Sequence, residues 1–149
     1  RYWLGSRVLI GGSIQDAADW EQLVEKHGIS HVLSVESERS DWGKVPFDRI
    51  CYLPTADDGL AQPREMLVRA AAFGEEVLAT PDQGLYIHCQ QGASRSPTYG
   101  YAILRKTRGV DREEFLRRIR QVMPEWGHHH YHPVYMSSVE NAIGIGGQP

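Results

Sequence analysis

The chain has little cysteine: two residues in 149, at positions 51 and 89. That scarcity excludes a disulfide-stapled scaffold, and without a Cys-x-x-Cys pair a thiolate zinc site lacks its ligands. Hydrophobic runs are short, and none approaches the roughly twenty residues that a membrane-spanning helix needs. Positive charge is not in excess. Lys and Arg number 16 against 19 Asp and Glu, a formal net charge of −3 with the 7 His neutral. The surface as a whole therefore offers no electrostatic footprint for nucleic acid, and any anion must be held locally. Internal repeats and low-complexity tracts are absent. What is present, 41% hydrophobic and 23% charged residues over 149 positions, fits one globular domain, 1–149. A chain of this length can bury about two-thirds of the surface it exposes when unfolded. Scarce thiols place the expected protein in the cytoplasm, and a monomer is expected. The chain opens on Arg1 rather than Met and carries no signal-peptide pattern, as expected of one trimmed at its start.

The most informative stretch is His88-Cys89-Gln90-Gln91-Gly92-Ala93-Ser94-Arg95, which follows the apolar, strand-like run Leu85, Tyr86, Ile87 and precedes a helix-like one. A thiol is a useful nucleophile only as thiolate, and a helix N-terminus with donor groups favours that form. The first turn of a helix also leaves N–H groups without intrahelical partners and carries partial positive charge, so anions collect there. A chain wrapped around Cys89 through Gln90, Gln91, Gly92, Ala93 and Ser94 can aim successive N–H groups at three phosphoryl oxygens. Gly92 supplies backbone freedom for the wrap. Arg95 closes the cradle with a planar fork that Lys cannot reproduce. Ser96 offers a hydroxyl to the sulfur, and Pro97 falls in the first helical turn, where its missing N–H costs little.

His-Cys-x-x-Gly-x-x-Arg-Ser resembles the signature of the cysteine-dependent protein tyrosine phosphatases, and Ser94-Arg95-Ser96-Pro97 is similar to the dual-specificity subgroup. The resemblance implies phosphomonoester hydrolysis in two steps: Cys89 attacks phosphorus, and water hydrolyses the cysteinyl-phosphate. It implies no metal and no cofactor. The implied partner is a phosphorylated protein, with phosphotyrosine and also phosphoserine or phosphothreonine accepted, because a short chain leaves little to build a deep cleft. Specificity is strong at residues 88–97 and moderate at 54–59.

A leaving alkoxide or phenoxide must be protonated, and a positioned carboxylic acid contributes on the order of 10²- to 10⁴-fold. The resembled family carries its Asp on a mobile loop roughly thirty residues before the cysteine, and Pro54-Thr55-Ala56-Asp57-Asp58-Gly59 falls there. Spacing does not choose between the two carboxylates. The Pro-x-x-Asp arrangement favours Asp57 as acid and later base, whereas alignment on Asp-Asp-Gly favours Asp58.

Along the chain, Arg7 to Ile10, His31 to Val35, Arg49 to Leu53 and Leu85 to His88 read as strands. Helical spacing covers Asp16 to Lys26 (Ala17, Trp20, Val24 on one face) and Arg64 to Leu78 (Met66, Ala70, Phe73, Val77). The run Pro97 to Lys106 is apolar around much of its circumference, as expected of a buried central helix, and Gly100 permits close packing there. Asp111 with Glu114 resembles a capping box ahead of Phe115, Ile119 and Val122, and a last helix spans 133–142. Alternating strands and helices predict an α/β fold: a central, mostly parallel sheet of four to five strands flanked by helices. The loop from Glu36 to Phe47 borders the expected site, and the basic face of Arg112, Arg117, Arg118 and Arg120 reads as solvated surface.

Three features stand apart. Dual-specificity phosphatases often carry a Pro-Asn-x-Gly-Phe stretch whose Asn helps organise the phosphate loop; here the region is Met123 to His132 and the Asn is absent. His128, His129, His130 and His132 invite a metal reading, but a polar loop anchored by Trp126 and Tyr131 is the simpler one. Cys51 reads as a core residue, with a reversible disulfide to Cys89 as the alternative. His88 is assigned support of the thiolate environment and no proton transfer. Competing functions are the same chemistry on a phosphoinositide, a phosphoglucan or an RNA 5′-phosphate, a phosphate-binding module without turnover, and a rhodanese-like sulfurtransferase. Aromatic residues Tyr2, Trp3, Trp42, Trp126 and Tyr131 read as core or loop anchors, with lining a sugar groove as the alternative in the phosphoglucan case.

Overall fold

The computed structural model describes residues 1–37, 43–90, 94–126 and 131–145. Among them, five strands form one sheet: β1 (Tyr2–Gly5), β2 (Val8–Gly11), β3 (His31–Ser34), β4 (Ile50–Tyr52) and β5 (Leu85–His88), in the order β1-β2-β5-β3-β4. β1 runs antiparallel to β2, and the other pairs are parallel. The architecture is thus the mostly parallel α/β sheet expected, at the upper strand count.

β1 is the strand that the hydrophobic pattern did not reveal. Its hairpin turns through Arg7, whose φ of 68° lies in the left-handed region that a side chain disfavours. Tertiary contacts offset that cost. The Arg7 guanidinium donates to the carbonyls of Leu78 (2.9 Å), Thr80 and Gln83 (3.1 Å each), at and just beyond the C-terminal end of α2 (Arg64–Ala79).

Both faces of the sheet are covered, which is why its central strands read as near-continuous apolar runs. Alternation along β5 divides two cores: Leu85 and Ile87 face the larger, shared with α2, α3 (Arg95–Arg108), α4 (Arg112–Val122) and α5 (Pro133–Ala142), while Tyr86 faces the smaller, under α1 (Ala17–His27). α3 is buried at every position from Arg95 to Leu104, as expected of the central helix. A Cβ on Gly100 would stand 2.6 Å from Leu4 Cδ2, so the glycine does set how closely α3 meets β1.

Two amphipathic faces differ from the pattern. In α1 the buried residue is Leu23, while Val24 is 41% exposed, because the stripe runs three residues on from half-buried Trp20 rather than four. In α4, Phe115 and Ile119 are buried but Val122, in the last turn, is 44% exposed. Caps follow the sequence: Asp16 accepts the Asp19 N–H at 2.8 Å, and Asp111 accepts the Glu114 N–H at 2.9 Å. α5 is fastened by Glu140, which accepts from Arg112 Nε (2.8 Å) and Nη2 (2.6 Å) and from the Tyr101 hydroxyl (2.8 Å). Among the described residues no helix is long and apolar enough to cross a membrane.

This framework presents the C-terminal end of β5 at the sheet's centre. β5 lies between β2 and β3, and the ladder continues one bond past it, from Val35 N–H to the His88 carbonyl (2.9 Å). Cys89 is the next residue, at the point where ligands bind open α/β sheets.

Gly84, which opens β5, tests the packing that sets this position. A Cβ there would lie 2.5 Å from the Gly28 carbonyl oxygen, which as backbone cannot step aside. Gly84→Ala should lower stability by about 1–3 kcal/mol, read as a fall in the urea midpoint at unchanged m-value.

Candidate active site

Cys89 is buried, and its sulfur lies 3.0 Å from the hydroxyl of Ser96 in the first turn of α3. The same hydroxyl oxygen accepts the Cys89 N–H at 3.1 Å, so its own proton is free to point at the sulfur. Intrahelical bonding starts only at Thr98, whose N–H donates to the Ser94 carbonyl (3.2 Å). The N–H groups of Arg95 and Ser96 thus precede the helix's own acceptors, and the positive end of α3 sits where the thiol is delivered.

Ser94 occupies the N-cap of α3 without capping it. An N-cap side chain bonds the N–H of the second or third helical residue, and here the third is Pro97, which has none. The Ser94 hydroxyl instead donates to Asp57 Oδ2 at 3.0 Å. Of the two candidate acids, Asp57 is therefore the one joined to the loop that bears Cys89. Asp58 Oδ1 accepts the Leu60 N–H at 3.0 Å, a local turn contact, with Gly59 at φ 76° completing the bend. Asp57 Oδ1 accepts from the Tyr135 hydroxyl of α5 at 2.8 Å, and that hydroxyl in turn accepts the Gly59 N–H at 3.0 Å. Gln62 ties down the far end of this segment: its N–H donates to Ser138 Oγ (3.0 Å), its Nε2 donates to the Ala56 carbonyl (3.1 Å), and its Oε1 accepts from Tyr99 (3.1 Å).

Arg95 is 7% exposed. One guanidinium nitrogen, Nη1, donates to the Thr55 carbonyl at 2.9 Å and to Ser37 Oγ at 3.3 Å. Thr55 is itself fixed by its hydroxyl donating to the Val35 carbonyl (2.7 Å), and Ser37 Oγ donates to the Thr55 carbonyl (3.1 Å). Nε is buried and has no hydrogen-bond partner among the described residues. Burying a charged N–H without an acceptor is costly, so this atom is preorganised for an anionic ligand.

His88 is fully buried, with Nδ1 3.3 Å from Glu36 Oε1. Glu36 Oε2 accepts from the Ser13 hydroxyl at 3.1 Å, and the Ser13 N–H donates to the Gln90 carbonyl at 3.3 Å. The turn after β2 and the loop after β3 thus brace the strand end that bears Cys89, on the opposite side from α5. Ser13, Glu36, Ser37, Thr55, Gln62 and Tyr135 were not singled out from sequence. Each is a polar residue in a loop or a lone aromatic in a helix, and each has at least one partner 20 to 78 positions away. Only the expectation that the loop from Glu36 borders the site pointed toward any of them.

Gln91, Gly92 and Ala93 lie outside the described residues, as do Trp42 and His128 to His130. His132 is described: its ring packs on Tyr135 with centroids 4.5 Å apart. Trp126 is buried edge-on against Phe115 and Tyr131, at 6.0 Å each, in the anchoring role expected of it. No cluster of three metal-ligating side chains occurs among the described residues. Cys51 stands opposite Leu33 on β3, which stands opposite Ile87 on β5. Two strand spacings of ~4.8 Å put it beyond the ~7 Å Cα separation that a disulfide to Cys89 tolerates. Burial pushes its thiol up, with Arg69 opposing.

No protein-family model and no curated protein matches the sequence. Solved structures do match in fold. PTPMT1 superimposes with a TM-score of 0.75 at 20% identity, covering 93% of this chain and 90% of that one. Its complex with PI(5)P gives 0.74 at 18% identity, with 95% and 92% covered. Human DUSP28 gives 0.76 at 18% identity, with 94% and 90% covered. DUSP15 gives 0.75 at 20% identity, with 94% and 85% covered. The chain has the fold shared by cysteine-dependent protein tyrosine phosphatases and dual-specificity phosphatases.

Proposed function

We propose that the chain is a phosphomonoester hydrolase acting through a cysteinyl-phosphate, with Cys89 as nucleophile, Arg95 as phosphate clamp and Asp57 as general acid and base. One observation carries the reading. Cys89 and Asp57, distant in sequence, meet across one serine-rich helix start, with Ser96 on the sulfur and Ser94 on the carboxylate. Arg95 Nε, buried and without a hydrogen-bond partner among the described residues, fits the same chemistry.

In this mechanism the substrate's phosphoryl oxygens take the Arg95 fork and the N–H groups at the start of α3. Cys89 Sγ attacks phosphorus, the P–O bond to the leaving group breaks, and protonated Asp57 gives its proton to the departing oxygen. Asp57 then takes a proton from water, which attacks phosphorus and frees Sγ as thiolate. Ser96 donates to the sulfur whenever it carries charge. A reducing compartment such as the cytoplasm suits this thiol. The substrate is a phosphorylated protein side chain, phosphotyrosine with phosphoserine and phosphothreonine accepted, since 149 residues leave little to wall a deep cleft. A second reading, phosphoinositide hydrolysis, is favoured by the likeness of fold to PTPMT1, which has been solved with PI(5)P.

Turnover of p-nitrophenyl phosphate in chelator-containing buffer tests the chemistry. Cys89→Ser should be inactive, and residual activity in it would sink the covalent mechanism. Asp57→Asn should lose about 10²-fold and flatten the alkaline limb of the pH profile, whereas Asp58→Asn should stay within about threefold. The reverse order would make Asp58 the acid. A panel of phosphopeptides beside PI(5)P vesicles separates the two substrate readings.

Alkylation mapped by mass spectrometry tests the cradle. Inorganic phosphate should protect Cys89 from iodoacetamide and leave Cys51 unaffected. Arg95→Lys should abolish most of that protection, because an ammonium cannot make the two-oxygen contact.

A further inference from the structure

The contact between Asp57 and Tyr135 belongs to no part of the signature loop. The Tyr135 ring is fully buried, on a helix that Arg112 and Tyr101 hold through Glu140. Its hydroxyl does two things at once: it donates to Asp57 Oδ1 at 2.8 Å and accepts the Gly59 N–H at 3.0 Å. Oδ2, the other oxygen, faces Ser94 at the start of α3. The two oxygens of one carboxyl are thus sorted, one toward α5 and one toward the loop that carries Cys89.

A general acid works only if its proton sits on the oxygen that faces the leaving group. A free carboxyl rotates and carries its proton on either oxygen, so half of its orientations are unproductive. A buried donor on Oδ1 removes that ambiguity, since an oxygen that already accepts a hydrogen bond from a fixed phenol cannot also point a proton at it. Resting on the hydrolase reading above, we infer that Tyr135 is the positioning residue of the acid: by donating to Oδ1 it confines the transferable proton of Asp57 to Oδ2. In the first step the Oδ2 proton passes to the departing oxygen as the P–O bond breaks and the S–P bond forms. In the second, a water proton returns to Oδ2 as the water oxygen bonds phosphorus and the S–P bond breaks. Oδ1 exchanges no proton in either step.

Tyr135 suits this part because it remains a donor. Burial raises its phenol above the ordinary value; the hydrogen bond to the Asp57 carboxylate adds to the rise and the Gly59 N–H opposes it. Ser94, by contrast, sits on the oxygen that must be vacated, and its hydroxyl can turn to the phosphoryl group when a substrate arrives.

The test is the dependence of turnover on the leaving group. Wild type, Tyr135→Phe, Asp57→Asn and the double variant are assayed on aryl phosphates graded from p-nitrophenyl to unsubstituted phenyl. Tyr135→Phe should lose about tenfold on phenyl phosphate, the worth of one hydrogen bond to a charged group, and less than threefold on p-nitrophenyl phosphate. In the Asp57→Asn background the same substitution should cost less than twofold on either. An equal loss on every substrate, or a loss that persists without the Asp57 carboxylate, overturns the proposal and makes Tyr135 a brace for the Gly59 turn. A Tyr135→Phe variant indistinguishable from wild type on phenyl phosphate overturns it too. Turnover at the wild-type rate in Cys89→Ser instead removes the cysteinyl-phosphate reading on which this proposal rests, and the proposal falls with it.

Discussion

The first turn of α3 governs everything around it. A helix that starts after a six-residue loop from the central strand β5 brings unpaired N–H groups and the positive end of its dipole to one point. An ordinary N-cap would satisfy part of that demand from within. Here Pro97 removes the N–H of the third helical residue, Ser94 turns outward to Asp57, and Ser96 turns inward to the backbone and sulfur of Cys89. The helix start keeps N–H groups that an anion can take, and its two serines link the Cys89 sulfur to the Asp57 carboxylate.

The surrounding fold serves to hold that helix start still. Parallel pairing of β5 with β2 and β3 on either side fixes the position of Cys89, and covering helices on both faces bury the strand fully. The region where the resembled phosphatases often place a supporting Asn has none here. Support for the strand end comes from the other side, from Ser13 on the turn after β2 and Glu36 after β3, which reach the Gln90 carbonyl and His88. Those groups act through hydrogen bonds of ordinary length. The loops after β2, β3 and β4 reach His88, Gln90, Ser94 and Arg95, and α5 fastens the last of these loops through Tyr135 and Ser138.

Much of this was legible in the sequence, for identifiable reasons. Short apolar runs bounded by turn residues marked four of the five strands, and the mostly apolar run after Pro97 marked the buried helix, because burial on most sides leaves little polar face to write. β1 escaped because Tyr2–Gly5 carries no turn signal beyond Ser6-Arg7, and its hairpin is maintained by contacts of Arg7 with residues more than seventy positions on. The faces of α1 and α4 were displaced by a residue or a turn because periodicity gives the width of a stripe better than its edge, and the last turns of α4 have less core to cover. The choice between Asp57 and Asp58 could not be made from spacing, since adjacent residues share it. Orientation distinguishes them: one side chain turns to α3 and α5, the other closes its own turn.

The sequence by itself determined the chemistry that residues 88–97 can perform, because a strand, a wrapped loop and a helix start are local structures whose donors and fixed charges follow from neighbouring residues. It determined the fold class for the same reason. Only the tertiary structure decided which carboxylate meets that loop, which oxygen of it faces Ser94, and what braces the strand end that bears Cys89. Those depend on Ser94, Tyr135, Glu36 and Thr55, whose hydrogen-bond partners are brought to them by the packing of helices and strands distant in the chain, and no local pattern encodes a contact that folding alone creates.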